Sequence, residues 1–520
     1  MKKIFLLLAV VFFNNFNFAQ NIPFQIQKSE IFTDTHKKSD LAFSESDGEG
    51  GLILIRVLNG SLIPIPKAYI IEHYNSDFKL LTEYEYKINM TEEFVGLFIK
   101  EKKINIIERV YDRKGKIMNY NCLSSNIDNF AFSTKKLCSE EIEIKMFQTI
   151  SPNTADTMFE PIISFNEDKS AFAIIHEVKN KEAETYKFFV FDSDLNQKFV
   201  QQFSSEVKDS KYRFENIALS KDGNALYLLG KVLIEQNKDK GGDYHYEISR
   251  ISTDAIVTQI IDTQEHYIRS LKTIFLDGKV ACVSFYSDRN DSRYKGLCYI
   301  ALDPTTLKIN QSKYNPFTEQ FLEDKYGKVK DKELKFLVIK GFFVSQNNEI
   351  ILNAEETYRT TNSNYGGMNG INGMQTSYEY HYDDIVSVKL NNQGDLIWAR
   401  NINKKQSTSD GISLFNATYS SGYLSYTSIL SADYNYFFIN AGEKVKEISN
   451  DRIQFKQTSK NHSNINVIRI NKEGDFDYQE LVDDTENEMP FMVSEGIPNG
   501  NSILFIGRKG KEKQLLKVTL

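Results

Sequence analysis

Proline, cysteine and tryptophan are scarce in this 520-residue chain, which holds nine, four and one of them. With so few prolines and no Pro/Gly/Ser-rich stretch, composition marks no linker between separate domains. After the first twenty residues the chain has no apolar run of about eighteen residues, so no membrane-spanning helix is expected. Long runs of lysine and arginine are missing too. Setting aside Lys2 and Lys3, the 63 basic residues fall to 61 against 70 acidic ones, and the net charge falls from −7 to −9. That balance argues against nucleic acid and anionic membrane as partners. Catalytic signatures are equally absent: there is no Gly-x-Ser-x-Gly elbow, no His-Glu-x-x-His, no Gly-x-x-x-x-Gly-Lys and no Cys-x-x-Cys. No catalytic residue, cofactor or metal is therefore assigned. His36, His73, His176, His266 and His462 stand apart without ligand spacing.

What is present begins with Lys2 and Lys3, an apolar run from Ile4 to Phe13, and a polar stretch ending Asn17, Phe18, Ala19, Gln20. This is the build of a secretory signal peptide cleaved after Ala19, so residues 1–19 are expected to be removed and the mature chain to be periplasmic or secreted. The apolar run is too short for a retained transmembrane helix. A lipid anchor would need a cysteine beside the cleavage site, and the first is Cys122. The others are Cys138, Cys282 and Cys298. In an oxidising compartment a disulfide between Cys282 and Cys298, across a hairpin centred on residues 287–295, is one reading, and buried free thiols are the other.

About five hundred mature residues exceed the size at which one compact core stops growing, which leaves several domains or a repeat that grows by adding units. Aromatic residues make up 13% of the chain, with 28 Tyr and 37 Phe, a composition that suits strands. A module does recur: an alternating apolar strand, a turn rich in Asp, Asn and Gly, a second strand, and another such turn. Its second half is clear at residues 69–79, 106–116, 189–198, 298–304, 385–398 and 465–476, and weaker at 246–252 and 515–520. Its first half is visible at 162–174, 217–229, 274–285 and 342–352. Two halves make a four-stranded antiparallel meander, with the second half expected on the inner side. The fold class predicted is all-β, a β-propeller of about seven blades, within six to eight, filling residues 20–520 with long inter-strand loops. A row of β-sandwiches is the competing fold. The last unit, from Pro490, is one strand short, and a strand within residues 22–32 is expected to complete it and remove the open edge.

The Ser-x-Asp-Gly-x-x-Leu turn at Ser220, Asp222, Gly223 and Leu226 resembles the strand-turn-strand element of TolB-type propeller repeats, and Ser164 to Phe172 is a degenerate relative. The chain is also similar to large exported bacterial propeller-like proteins whose repeats read as an apolar strand, Asn/Asp-Gly, then an apolar residue and Trp, as from Asn391 to Trp398. The resemblance implies a propeller and no particular chemistry. The His and Trp-Asp landmarks of the best-known propeller families are missing.

Two aromatic-histidine clusters are the candidate ligand-binding residues: Tyr244, His245 and Tyr246, followed by Glu247, and Tyr380, His381, Tyr382 and Asp383, followed by Asp384. Each begins a second-half strand. At a common rim, the tyrosines would stack on sugar or peptide while the carboxylates accept hydrogen bonds, and strand-start packing is the alternative. The glycine-rich stretch 366–373 reads as a loop over one face of the ring or as a plain insertion. Acidic turns around Asp192, Asp288 and Asn471 lack a calcium-loop ligand run and hold the residues hairpin turns require. A non-enzymatic binding or scaffold propeller, with an envelope or extracellular protein or glycan as partner, is the leading functional expectation. A glycan- or peptide-acting hydrolase or lyase, with a site assembled at one end of the channel, is the alternative.

Overall fold

In the computed structural model, which describes residues 22–36, 39–60, 65–142, 163–178, 183–208, 211–235, 243–263, 266–288, 293–328, 334–366, 373–409, 422–442, 446–448, 452–456, 464–483, 485 and 487–520, hairpin turns set the length of the strands. Asn75, Asp192, Asn391 and Asn471 each accept, on one side-chain oxygen, the backbone N–H groups two and four residues further on. The side chain thereby replaces a strand partner and closes the turn. In two of these turns a glycine at positive φ, Gly394 at 77° and Gly474 at 94°, lies flat on an aromatic ring of the preceding sheet. A Cβ there would stand 2.1 Å from Tyr299 or 2.8 Å from Trp398. The Asn-to-Trp pattern is thus a packing device between neighbouring repeats.

These turns fold the chain into eight antiparallel sheets of four core strands each: blade 1 (39–87), blade 2 (92–141), blade 3 (163–204), blade 4 (212–261), blade 5 (272–316), blade 6 (337–402), blade 7 (427–482) and blade 8 (491–519 with 25–28). Each adjacent pair shares one buried apolar cluster. The eighth cluster sets Leu52 and Leu54 of blade 1 against Leu504 and Ile506 of blade 8 and closes the ring. The molecule is therefore a β-propeller, with eight blades where about seven were expected.

Two features of the repeat differ from the sequence expectation. First, the opening strands of neighbouring blades touch one another, Ser39–Ser46 meeting both Glu92–Lys100 and Phe491–Asn499, so the first half of each meander is inner and the second half outer. Second, the middle strands are buried on both faces. In Lys279–Asp288, Ala281, Val283 and Phe285 pack towards blade 6 while Val280, Cys282 and Tyr286 pack towards blade 4. Such strands read as unbroken apolar runs, and alternation survives in outer strands such as Ile256–Ile261.

The closing strand is Gln25–Lys28, which pairs antiparallel with Glu512–Thr519 and completes blade 8, as expected of a strand within residues 22–32. Blade 6 is the most elaborated of the eight. Its second and third strands, Ile350–Gly366 and Gly373–Leu390, run to 17 and 18 residues and pair along their length as one hairpin. Lys404–Ser409 pairs with the third strand and, in parallel, with Arg452–Lys456. A helix, Glu319–Tyr326, joins blades 5 and 6. It is capped by the Thr318 hydroxyl, ends on Gly327 in the left-handed region, and buries Phe321 between the two blades. Among the described residues no helix is long and apolar enough to cross a membrane. The expected signal segment, 1–19, and the centre of the glycine-rich stretch, 367–372, lie outside the described residues.

Candidate functional site

The first strand of blade 4, Tyr212–Leu219, follows directly on Lys211. Period-two alternation sends Tyr212 into the core against blade 3, with Phe214 packed against it, and leaves Arg213 and Glu215 on the other face. Lys231 comes from the second strand, Ala225–Glu235, and Tyr244 from the third, Asp243–Ser252. Tyr267, Arg269 and Ser270 belong to the approach to blade 5, Lys272 to its first strand, Lys272–Leu276, and Val338 to the first strand of blade 6, Leu337–Val344. Together they wall a cavity of about 600 Å³ at the end of the ring where the first strands of blades 4, 5 and 6 begin.

Among the described residues, five cationic side chains, Lys211, Arg213, Lys231, Arg269 and Lys272, line this space with a single carboxylate, Glu215. Lys231 Nζ lies 3.5 Å from the centroid of the Tyr244 ring and donates to Arg269 O at 3.2 Å. Burial pulls its amine down to about 8, helped by Arg213 and Arg269 and opposed by Glu215. Burial pushes the Glu215 carboxyl up, against Lys231, Arg213 and Lys272. Tyr244 donates its hydroxyl to Ile268 O and meets Tyr267 edge to face at 5.5 Å, so both rings are held as fixed walls. The buried Tyr212 hydroxyl beside the cavity has no hydrogen-bond partner among the described residues. The arrangement suits a bound anion, with aromatic surface available for an apolar flank.

No family model matches the chain, and no curated protein matches it either. Solved structures do. Prolyl oligopeptidase B from Galerina marginata is 8% identical with a TM-score of 0.38, over 91% of this chain and 56% of that one, so the chain spans little more than half of that protein. The β-propeller domain of the Trilobed protease from Pyrococcus furiosus is 8% identical with a TM-score of 0.34, over 82% of this chain and 96% of that one. Polysaccharide lyase Uly1 is 11% identical with a TM-score of 0.34, over 85% and 92%. The likeness is one of fold alone.

Of the first aromatic cluster, the propeller places only Tyr244 in the cavity wall. Tyr246 is fully buried and donates to Ile268 O at 2.9 Å, and His245 lies 2.8 Å from Glu247. The second cluster stands two blades away at the base of the long hairpin. There His381 stacks on Tyr358 at 4.4 Å and 10°, Tyr358 donates to Asp383 at 2.8 Å, and Thr360 meets His381 Nε2 at 2.9 Å. Tyr382 has Lys340 Nζ 5.5 Å from its ring, and Tyr380 pairs across the hairpin with Arg359. The two clusters do not form one site. Phe336, two residues before Val338 in sequence, packs on Tyr358 at 5.4 Å. It sits at a φ of 62° while leaving 44% of its surface exposed. A left-handed conformation costs a non-glycine residue about 1–2 kcal/mol, so an exposed ring held this way points to a use.

Behind the cavity, blade 6 holds buried charges. Lys325 of the helix lies 2.7 Å from Glu356 and 2.8 Å from Asp384. Burial and the neighbouring Asp384 push the Glu356 carboxyl up to about 7 against the pull of Lys325. Asp384, placed by sequence beside a ligand, thus has a structural partner. The cysteines are free and buried. Cys282 and Cys298 are on neighbouring strands of blade 5 but two positions out of register, Cys282 facing Ile300 and Cys298 facing Ser284, so the disulfide reading gives way to the free-thiol one. In the acidic turn at Asp192, one carboxylate oxygen is taken by the amides of Asp194 and Asn196.

The cavity cations were missed in the sequence because they come singly from three strands and two connections. One local signal was present. The Lys-Tyr-Arg-Phe-Glu run at 211–215 alternates charge with aromatic residues at the start of a first strand, and its charged face lines the cavity.

Proposed function

We propose that the chain is an exported, non-enzymatic binding propeller of the cell envelope or exterior, whose ligand site is the cavity between blades 4, 5 and 6. The group it takes is an anion, carried by a glycan or protein partner. The observation behind this reading is the convergence of five cations and two tyrosine rings on a space with one carboxylate among the described residues, in a chain of net charge −7. An acidic protein repels polyanions in general, and a local cationic recess reverses that field at one place. Calorimetric titration with polygalacturonate and with neutral dextran, at low and high salt, tests it. The acidic polymer is expected to bind, to weaken as salt rises, and to lose most of its affinity to the Arg269→Ala/Lys272→Ala double variant. Equal binding of both polymers, or an unaffected variant, would overturn the assignment. Export itself predicts a mature chain beginning at Gln20, read by N-terminal sequencing.

The nearness of Glu215 and Lys231 in one cavity favours a second reading. Burial drives the carboxyl up and the amine down to about 8, towards the range in which both serve as acid and base. On that reading the propeller cleaves an acidic glycan or peptide. Incubation with the polymer and assay of new chain ends decides: ends that form, and vanish in Lys231→Met, favour the enzyme, and their absence leaves the binding reading.

A further inference from the structure

We infer that the ligand of this propeller is an acidic polysaccharide chain, and that Phe336 is the stacking platform for the sugar next to the one whose charge sits in the cavity. The inference rests on the cavity being an anion site and names the class of molecule that carries the anion.

Three observations on blade 6 support it. Phe336 is 44% exposed, and Val338, which lines the cavity, is 46% exposed, so two apolar side chains lie open beside a cationic recess. Only Leu337 lies between them, a reach of at most about 7 Å. The ring of Phe336 is also braced: Tyr358 packs against it, His381 stacks on Tyr358, and the Asp383 carboxylate and Thr360 hydroxyl fix those two rings from the far side. Finally, the backbone at Phe336 is held in the left-handed region, with its carbonyl accepting from Thr357 N at 3.0 Å, while nearly half of the residue stays open to solvent.

A rigid aromatic face beside a cluster of cations matches a pyranose acid well. The sugar ring offers an apolar C–H face to the aromatic ring, and its carboxylate or sulfate is taken by Arg269, Lys272 and Lys231. An acidic peptide matches only the second half of this, because its backbone would leave unpaired N–H and C=O groups against the ring. The second aromatic cluster acquires a role on this account, with His381 and Tyr358 as positioning residues for Phe336.

The test is calorimetry on the full chain with galacturonic acid, tetragalacturonic acid and tetraglutamate. The tetramer is expected to bind about tenfold or more tighter than the monomer, because it reaches the second subsite. Phe336→Gly removes the ring and releases the left-handed strain, so the fold is kept, and thermal unfolding confirms that. This variant is expected to bind the tetramer no better than the monomer, with monomer affinity unchanged, and Phe336→Tyr to behave as the parent. Unchanged tetramer binding in Phe336→Gly overturns the platform, and tetraglutamate binding as tightly as tetragalacturonate overturns the sugar. Absence of binding by every anion in the parent protein sinks the cavity reading itself, a different failure from either of these.

Discussion

Lys404 is fully buried, with its ammonium 2.8 Å from Glu355 Oε1 and 3.1 Å from Gln406 Oε1. Burial pulls its amine below the ordinary lysine range against the attraction of Glu355. Glu355 in turn is held down by Lys404 and Lys340 against the same effect of burial. Removing one member of such a pair strands the other without water, so Lys404→Ala should cost about 3–5 kcal/mol in denaturant unfolding, and Lys404→Ala/Glu355→Gln clearly less than twice that. A single-variant cost within experimental error would show the pair to be solvated. Lys231 leads to a different prediction, about pH. Burial pulls its amine down to about 8, and the charged and titratable groups around it are Arg213, Arg269 and Glu215, with Tyr244 and Tyr267 walling the same space. Anion affinity should therefore fall as pH rises through 8, by roughly fivefold for one lost pairing of about 1 kcal/mol. The fall should be absent in Lys231→Met. Neither residue was legible in the sequence: Glu355 and Lys404 lie on different strands, and each reads locally as an ordinary surface charge.

The closing strand shows what holds an element that buries nothing. All four side chains of Gln25–Lys28 are exposed, so its attachment comes from the backbone ladder to Glu512–Thr519, from Lys28 donating to Asn487, from Ile22 just before it, buried in the seam of blades 7 and 8, and from the residues that follow it. Asp34 is the clasp. Its carboxylate meets Arg56 of blade 1 at 3.0 Å and Lys513 of blade 8 at 2.6 Å, and Arg56 is held in turn by Glu72 at 2.6 Å. Burial disfavours the Asp34 charge, but Lys513 and Arg56 hold its carboxyl down from 3.8 to about 2. A folded-state value below the unfolded one means the clasp stabilises above 3.8 and is lost as pH falls towards 2. Asp34→Asn should thus lower the melting temperature at neutral pH, and the gap to the parent should close over that acidic window. A gap independent of pH would place the effect elsewhere. The existence of this strand was legible because blade 8 visibly lacked one. Blade 2 was legible only out of phase: the copy at 106–116 belongs to its second strand, Lys103–Asp112. Its third, Ile117–Asn126, was passed over because Asn119 and Asn121 break the apolar run. Where a blade carries polar residues on a middle strand, the turns still mark the repeat, but the strands no longer declare their place in it.

On the scale of the ring, eight blades joined by eight apolar seams raise the question of whether the seams fail together. The free thiols report on two of them. Cys122 and Cys138 lie in the seam between blades 2 and 3, Cys282 and Cys298 in the seam between blades 4 and 5. Burial pushes all four thiols up, Cys122 to about 11 and the others to about 12, so a thiol reagent at neutral pH meets neither thiolate nor access in the folded protein. In an open array of repeats each unit contacts only its neighbours, and one seam can part while another holds. In a ring clasped by Gln25–Lys28 and Asp34, parting any seam leaves two exposed apolar faces while the remaining seams still hold the blades in place, so single-seam opening brings little gain in chain freedom. The four cysteines should therefore become reactive at one denaturant concentration, the midpoint of global unfolding by circular dichroism. In Asp34→Asn the common midpoint should move without splitting. Labelling of Cys282 and Cys298 well before Cys122 and Cys138, or the reverse, would mean that the ring unzips blade by blade.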